Sequence, residues 1–451
     1  MLETKSPTSL NFKVQRCSPE LVTPAKPTPY EFKPLSNLEN LECFRIHIPG
    51  LGFYPHNPSK NGVDPVEVIR KAIAQTLVFY YPFAGRLREN PSGKLVVECT
   101  GEGVLFTEAY ADVTLEQFGY PLAPPFPYLD QLLFDVPGSS EIFNSPLVLV
   151  QVTRLKCGGF IFALRCNHTI SDASGVVQFM SAIGEMARGA TSPSVLPIWE
   201  RHILNSTTDP QKLTYPLPES GTNISGDRSN DLKFPLEQDL CYRTFFLGPT
   251  EISALRRRVP PHLHHCSSFE IVITSVWKCR VVAFQSHPME ETSLIWSVDL
   301  RSKFKLPPGY YGNAIVIQMT KSTAKEIIKN PLSYTLQLVR NARDKEIKLE
   351  GYAQSLTTMK VNMMSYIVSD WRYTGFEKVD FGWGKAVYGG PDHCGPISGS
   401  HMPYKSKNGE NGIMLPLCLP KEVMERFENE LNNMLKDQSF GRNDDVVQSK
   451  L

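Results

Sequence analysis

The sequence predicts an α/β or α+β protein that consists of two domains. Its 451 residues, of which 41% are hydrophobic, are enough to form two large cores. Segments with the apolar spacing of helices alternate with segments rich in β-branched residues in both halves of the chain. Residues 191–235 interrupt this pattern, because they are rich in Ser, Thr, Asn, Pro and Asp and lack a period. We therefore predict an N-terminal domain at 1–190, a crossover loop at 191–235 and a C-terminal domain at 236–451.

The first half contains two predicted helices and a hairpin. Asp64 and Pro65 are typical of a helix start, and apolar residues follow at helical spacing until the chain approaches Pro82. The stretch 146–168 contains two apolar runs joined by a Lys-Cys-Gly-Gly turn, which predicts a hairpin of central strands buried on both faces. A second helix is predicted at 171–189. Shorter runs predict strands at 12–15, 94–98 and 104–107.

The second half repeats the alternation of helices and strands. Capping residues and apolar spacing predict helices at 267–285, 330–347 and 421–437. Apolar and β-branched runs predict strands within 293–304, 313–320, 361–371 and 413–420. Because both halves mix the two kinds of element, we expect each domain to be a sheet covered by helices.

The composition excludes several classes of function. The formal net charge of +1 argues against a general nucleic-acid binder, which needs a basic surface. The chain has no apolar run of about 18 residues, so we expect no membrane span. Its polar N-terminus is unlike a secretory signal, and none of the ten cysteines forms a Cys-x-x-Cys pair. These features favour a cytoplasmic protein with reduced thiols.

A histidine and an aspartate lie where the predicted hairpin gives way to a helix. His168 ends the second strand, and Asp172 precedes the helix. A histidine needs only a modest shift to act as a base near neutral pH, whereas a buried Asp172 needs a cationic partner. The alternative is a structural histidine followed by an ordinary N-cap, and the spacing by itself leaves both open. Gly175 favours a functional role for His168 and Asp172, because a glycine permits close approach of backbone at the helix start.

A second motif lies near the C-terminus. Residues 380–384, DFGWG, place two aromatic residues among glycines, which suits a loop folded against another domain. Together with the His168–Asp172 motif, this loop resembles the BAHD family of plant acyl-CoA-dependent acyltransferases over about residues 12–437. The resemblance extends to YYPFAGRL (80–87), SSFEIVITSVWKCR (267–280), DLRSKF (299–304) and LPPGYYGNA (306–314).

The resemblance implies a fold and a mechanism. It implies two chloramphenicol-acetyltransferase-like domains with mixed sheets, joined by the crossover loop and separated by a channel for both substrates. His168 would be the general base that activates an acceptor hydroxyl toward an acyl-CoA thioester, without a covalent acyl-enzyme. Asp172 would pair with Arg301, although Asp299 stands where relatives more often have Asn. The loop residues Asp380, Gly382, Trp383 and Gly384 would lie away from the base, where they shape the channel and support the site. Trp383 would help to position the reacting oxygen and Asp380 would be structural, and neither would be catalytic.

The phosphates of CoA require a basic mouth on the enzyme. The resemblance places Ser267 and Ser268, with the YYGN stretch at 310–313, beside the pantetheine arm. The cationic candidates, each of which could also be an ordinary solvated charge, are Arg256, Arg257, Arg258, Lys278, Arg280, Lys303 and Lys305. We expect no metal at the His262, His264, His265 and Cys266 cluster, which has no second group of ligands. Cys166 near His168 is expected to be a core residue rather than a nucleophile.

The motifs are most similar to those of ester-forming alcohol acyltransferases. This similarity favours acetyl- or benzoyl-CoA as donor and a small or aromatic alcohol as acceptor, in a monomeric enzyme. Two segments, 348–365 and 392–404, are several residues shorter than the family pattern. Both are expected near the channel, so a bulkier alkaloid or terpenoid alcohol, or an amine, remains an alternative acceptor. A catalytically silent relative that only binds CoA is the alternative from another class.

Overall fold

The computed structural model contains the helices and strands that the sequence predicts. The described residues are 10–135, 142–205, 239–349, 352, 356, 361–406 and 408–436. The strands are β1 Val14–Arg16, β2 Glu20–Val22, β3 Phe32–Pro34, β4 His47–Tyr54, β5 Arg86–Glu89, β6 Leu95–Glu98, β7 Val104–Ala111, β8 Val148–Leu155, β9 Phe160–Asn167, β10 Leu240–Leu247, β11 Glu291–Asp299, β12 Ile315–Thr323, β13 Tyr366–Asp370, β14 Tyr388–Gly390, β15 Ser398–Lys405 and β16 Asn411–Pro420. The α-helices are α1 Pro65–Thr76, α2 Leu129–Leu132, α3 Ala173–Ala187, α4 Pro249–Arg256, α5 Ser268–Phe284, α6 Ala324–Lys329, α7 Leu332–Arg343 and α8 Lys421–Leu435.

The larger elements form two mixed sheets. The N-terminal sheet has the order β1-β7-β8-β9-β4-β14, with β2 also paired to β7. Its β7 and β8 are parallel, whereas β8 and β9 form the predicted antiparallel hairpin. The C-terminal sheet has the order β10-β16-β15-β13-β11-β12, in which β13 runs parallel to both of its neighbours. The predicted two-domain α+β class with mixed sheets is confirmed.

Helices cover each sheet and define its core. In the N-terminal core, Ile69 and Ile73 of α1 pack with Met180 and Ile183 of α3 against the sheet. In the C-terminal core, α5 lies centrally and buries Trp277 with residues of α7 and α8. Within the part of the chain that the structure describes, no helix has the length and apolar character needed to cross a bilayer.

One segment of the second half joins the first half of the molecule. Strand β14 pairs antiparallel with β4 at the edge of the N-terminal sheet. Phe376, Phe381 and Trp383, which precede β14, belong to the N-terminal core. The predicted domain boundary at residue 236 therefore does not follow the sheets here, because the chain returns to the first sheet before it completes the second. Of the predicted crossover, residues 206–235 lie outside the described residues.

Candidate active site

His168 lies directly after β9, at the boundary between the hairpin and α3. Its backbone N–H donates to the carbonyl of Ile46 at 2.7 Å, and its ring packs 4.7 Å from the ring of Phe44, centroid to centroid. Its Nδ1 lies 3.1 Å from the carbonyl oxygen of Ser171. A carbonyl can only accept, so Nδ1 carries the hydrogen and the lone pair lies on Nε2. The residue as a whole is half-buried.

The surroundings of His168 favour its neutral form. Burial lowers the pKa of His168 below its ordinary value, although the charge of Asp172 and the hydrogen bond to Ser171 act in the opposite direction. At neutral pH the ring is therefore uncharged and its Nε2 can accept a proton. This is the protonation state that a general base requires.

Asp172 turns away from the imidazole and holds the start of α3. Its carboxylate accepts hydrogen bonds from the backbone N–H of Gly175 at 3.0 Å and of Ala314 at 2.9 Å. Both terminal nitrogens of Arg301 donate to it, at 2.9 and 2.8 Å. The structure thus contains the Asp172–Arg301 ion pair, and Asp172 is only 1% exposed. The carboxylate has a structural position, since it joins the turn after β9 to the second half of the chain.

Arg301 has two further partners. It donates to the carboxylate of Asp299 at 3.1 Å and to the carbonyl of Gly312 at 2.9 Å. Burial would lower the pKa of Arg301, but Asp172 and Asp299 outweigh it and raise the pKa. The guanidinium therefore stays charged between two carboxylates.

Gly175 is required by the contact between the two halves. A Cβ at this position would lie 2.1 Å from the carbonyl oxygen of Tyr311 and 2.4 Å from Oγ of Ser171. Ser171 Oγ itself donates to the same carbonyl at 2.7 Å. Backbone from the second half thus lies directly on the first turn of α3, as the glycine at the helix start indicated.

The DFGWG loop packs on the N-terminal sheet near the start of β9, whereas His168 follows the end of that strand. Asp380 accepts hydrogen bonds from the backbone N–H groups of Gly382 and Gly384, at 2.7 and 2.9 Å, and both glycines have positive φ. The ring of Trp383 lies 5.5 Å from that of Phe160, at the start of β9. His168 follows the end of that strand, eight residues or about 27 Å further along. Trp383 therefore contacts the end of β9 remote from His168, and its help in positioning the reacting oxygen stays a prediction. The contacts of Asp380 agree with a structural role.

The geometry alone does not identify the family of the protein, and comparison with known proteins does. A family model described as "Transferase family" matches residues 12–434. The chain belongs to this family, the BAHD acyltransferases. It is 51% identical to benzyl alcohol O-benzoyltransferase from Petunia hybrida, over 96% of both chains. It is 46% identical to 13-hydroxylupanine O-tigloyltransferase from Lupinus albus, over 95% of this chain and 96% of that protein.

A solved structure supports the same fold. The crystal structure of vinorine synthase superposes with a TM-score of 0.71 and 21% identity, covering 94% of this chain and 98% of that chain. The resemblance to the BAHD family that the sequence motifs indicated is confirmed. The protein is an acyl-transferring enzyme.

Two of the residues expected to bind CoA in this acyltransferase are engaged inside the second domain. Arg280 is 1% exposed, and it donates to the carbonyls of Ser365 and Pro396 at 3.3 and 2.9 Å. Burial lowers its pKa to about 10. Lys278 donates to the carbonyls of Ile327 and, at 2.8 Å, Asn330 around the end of α6. The geometry contradicts a phosphate contact for both, because α5 turns these side chains toward neighbouring backbone.

The other CoA candidates lie nearer the surface. Ser267 is the N-cap of α5 and is exposed, and Ser268 accepts a hydrogen bond from Arg256 at 3.1 Å. Lys303 is exposed in the turn after β11, two residues from Arg301. These positions remain available to a ligand.

The alternative chemistries have little support from the geometry. His264 contacts the carbonyl of Val259 at 2.9 Å, and His265 contacts Arg340 at 3.0 Å. Among the described residues, no three or more His, Cys, Asp or Glu side chains are grouped to hold a metal ion. Cys166 belongs to the N-terminal core, and burial raises the pKa of its thiol. A protonated, buried thiol is a poor nucleophile.

Two buried residues near the His168 turn, Glu39 and Arg201, were not identified from the sequence, and a third, Asn313, was named only within the YYGN stretch. Asn313 donates to the carbonyls of His168 and Thr169, and Arg201 donates to the carbonyl of Ile170 at 3.0 Å. Glu39 lies 3.2 Å from Arg201 and accepts from the backbone N–H of Asn313. The only sequence signal was the YYGN stretch that contains Asn313. Glu39 and Arg201 lie in segments without a period or a motif.

Proposed function

We propose that the protein is an acyl-CoA:alcohol O-acyltransferase in which His168 is the general base. The observation that carries the proposal is the position of His168, a half-buried residue whose ring is anchored through Nδ1 to the carbonyl of Ser171, which leaves the lone pair on Nε2. Burial, which lowers the pKa of His168, agrees with this role. Membership of an acyltransferase family supplies the reaction class. Asp172 and Arg301 then have a positioning role, because their ion pair fixes the helix that follows the turn.

The reaction proceeds while both substrates are bound. Nε2 of His168 takes the hydroxyl proton as the alcohol oxygen attacks the thioester carbonyl, which gives a tetrahedral intermediate. Collapse of this intermediate breaks the carbon–sulfur bond and forms the ester. The departing thiolate takes the proton from the imidazolium, so CoA leaves as thiol and His168 becomes neutral again. A positioned base accelerates such a step by roughly 10²–10⁴-fold, and holding both substrates together adds a proximity effect.

The names of the relatives guide the choice of substrates. The 51% identical relative is named for benzyl alcohol and benzoyl transfer, which favours benzoyl- or acetyl-CoA and a small or aromatic alcohol. The 46% identical relative is named for tigloyl transfer to 13-hydroxylupanine, which makes an alkaloid alcohol the second candidate. We further propose a channel between the two domains, with Ser267, Ser268 and Lys303 near CoA, in a monomeric cytoplasmic enzyme.

A substrate panel with a histidine control tests the proposal. Release of free CoA is measured from acetyl- and benzoyl-CoA with benzyl alcohol, an aliphatic C6 alcohol and a hydroxylated quinolizidine. We expect turnover with benzyl alcohol and a loss of about 100-fold or more in His168→Ala. His287→Ala, at an exposed histidine, should match the wild type.

Two results would contradict the proposal. Equal activity of His168→Ala and wild type would remove the base assignment. Binding of acyl-CoA without turnover of any pair would favour a silent CoA-binding relative.

A further inference from the structure

The turn that carries His168 is held at every carbonyl. The carbonyls of His168 and Thr169 accept from the side-chain amide of Asn313, the latter at 3.2 Å. The carbonyl of Ile170 accepts from Nη2 of Arg201 at 3.0 Å, and that of Ser171 accepts from the imidazole Nδ1. The hydrogen bond that selects the imidazole tautomer thus depends on a short turn whose other carbonyls are fixed by residues far away in sequence.

Glu39 connects the groups that hold this turn. Its Oε1 accepts from the backbone N–H of Asn313 at 3.1 Å and lies 3.2 Å from Nη1 of Arg201. Its Oε2 accepts from both the backbone N–H and the hydroxyl of Ser36, at 2.9 and 3.0 Å. The contact between Glu39 and Nη1 lacks hydrogen-bond alignment, so the attraction within this pair is mainly Coulombic.

The guanidinium of Arg201 has little room to move. Glu39 is 0% exposed and Arg201 is 2% exposed. The guanidinium lies 4.2 Å from the ring centroid of Trp199 and 4.9 Å from that of Tyr311. A Cβ at Gly312 would lie 1.1 Å from Nη1, so the cation sits directly on the backbone of residue 312. A buried charge held by a partner, aromatic rings and backbone is a rigid support for the carbonyl that it contacts.

We propose that Glu39 and Arg201 are positioning residues for His168. Their ion pair, with Asn313, fixes the 168–171 turn so that the Ser171 carbonyl holds Nδ1–H and leaves Nε2 free to accept a proton. The network joins three separate segments of the chain, so it couples the geometry of the base to the assembly of both domains. This inference rests on the proposed function of His168.

A matched pair of arginine variants tests the proposal by kinetics. Arg201→Lys keeps the charge but loses the second donor and the stacking. Arg86→Lys is the control, because Arg86 is equally buried, donates to the carbonyls of Gly85 and Gly103, and pairs with Glu102. We expect Arg201→Lys, and also Glu39→Gln, to lower kcat by about tenfold or more with KM for both substrates within about twofold. Arg86→Lys should keep the wild-type kcat even where its Tm falls equally.

Histidine-selective ¹⁵N NMR provides a readout that does not depend on turnover. Wild type should show His168, assigned by its absence in His168→Gln, as the Nδ1–H tautomer. Glu39→Gln and Arg201→Lys should show a mixture of tautomers. A wild-type ring protonated on Nε2 would overturn the proposal, as would variants that keep both the tautomer and kcat. Variants whose kcat falls only as far as that of Arg86→Lys would overturn it too.

The two proposals fail in different ways. If the tautomer changes in Arg201→Lys but His168→Ala stays active, the positioning network stands and the base assignment falls. If His168→Ala is inactive and the tautomer is unchanged in Glu39→Gln and Arg201→Lys, His168 is supported as the base and the positioning role is contradicted.

Discussion

The reactivity of His168 is set by opposing effects on one ring. Burial lowers its pKa, and the nearby carboxylate of Asp172 offsets part of that change. Only the neutral ring accepts a proton, so activity is lost as the pH falls through the lowered pKa. We expect the acid limb of kcat/KM to have its midpoint below the ordinary histidine value of about 6.5. A midpoint above that value, measured between pH 5 and 9, would contradict the environment described for the ring.

The same shift links His168 to stability. Because the pKa of His168 is lower in the folded state, the unfolded chain takes up a proton first as the pH falls below about 6.5. This uptake favours the unfolded state, so the free energy of unfolding decreases with falling pH. Activity and the free energy of unfolding are therefore both expected to decrease as the pH falls. Measuring both on one preparation separates them, because unfolding curves show where the protein remains folded.

The Asp172–Arg301 pair makes a prediction about stability. Asp172→Asn keeps an acceptor for Gly175 but leaves Arg301 with Asp299 as its remaining carboxylate partner. Removing one member of a buried pair costs about 3–5 kcal/mol, and we expect about 2–3 kcal/mol here because Arg301 is partly exposed and keeps Asp299. Urea unfolding measures the change. Glu291→Gln, in an exposed pair with Lys321, should cost less than about 1 kcal/mol.

At the scale of elements, the contacts of the DFGWG loop are those of a support for the N-terminal sheet. Arg188 of the α3 C-terminus donates to the carbonyl of Asp380, and a Cβ at Gly184 would lie 2.5 Å from the same oxygen. Tyr54 of β4 donates to the carbonyl of Val379 at 3.2 Å. The loop therefore fixes α3 and β4 relative to each other, at the end of the domain remote from His168.

Asp380→Ala tests this structural role. The substitution removes the acceptor for Gly382 and Gly384, which should lower the free energy of unfolding by about 1–3 kcal/mol. Asp380→Asn, which keeps one acceptor oxygen, should cost less. At a temperature where both variants are folded, kcat should stay within about threefold of wild type, because His168 lies about 27 Å along β9. A much larger loss of kcat in folded Asp380→Ala would show that the loop acts on the reaction.

At the scale of the whole molecule, the two sheets depend on each other. Strand β14 covers the edge of β4, and Tyr311, Phe376, Phe381 and Trp383 complete the N-terminal core. A third cluster combines Phe53 and Ile161 of the first sheet with Met402 and Met414 of the second. The N-terminal core therefore needs residues of the second half, and this third cluster needs both halves, whereas the C-terminal core uses second-half residues only.

This interdependence predicts cooperative unfolding. Calorimetry should show one transition, with calorimetric and van't Hoff enthalpies in agreement where unfolding is reversible. A fragment of residues 1–205 should lack fixed tertiary structure in near-UV circular dichroism, although its helices form by local spacing. Two separated transitions, or a natively folded fragment, would contradict this view of the molecule.

Much of the site was readable from local sequence. The helices and the 146–168 hairpin were predicted because each depends on residues within a few positions of one another. The N-cap at Asp172 was the alternative to a functional pair, and Gly175 indicated a close approach of backbone but not that Tyr311 makes it. The partner of Asp172 was not a local matter, and Arg301 was identified only through the family resemblance. Lys278 and Arg280 were wrongly predicted to contact CoA, whereas their side chains donate to backbone carbonyls inside the second domain. A charged residue within a helical segment does not indicate which face of the helix will be buried.

The fold class, the family and the position of the proposed base could all be predicted from the sequence, since periodicity, caps and motifs act within single elements. Which charges lie inside depended on the packing of the whole molecule. It assembled Glu39, Arg201 and Asn313 around the 168–171 turn and returned β14 to the first sheet. The physical reason is that burial and pairing of charge depend on which distant segments pack together, and no local pattern encodes that choice.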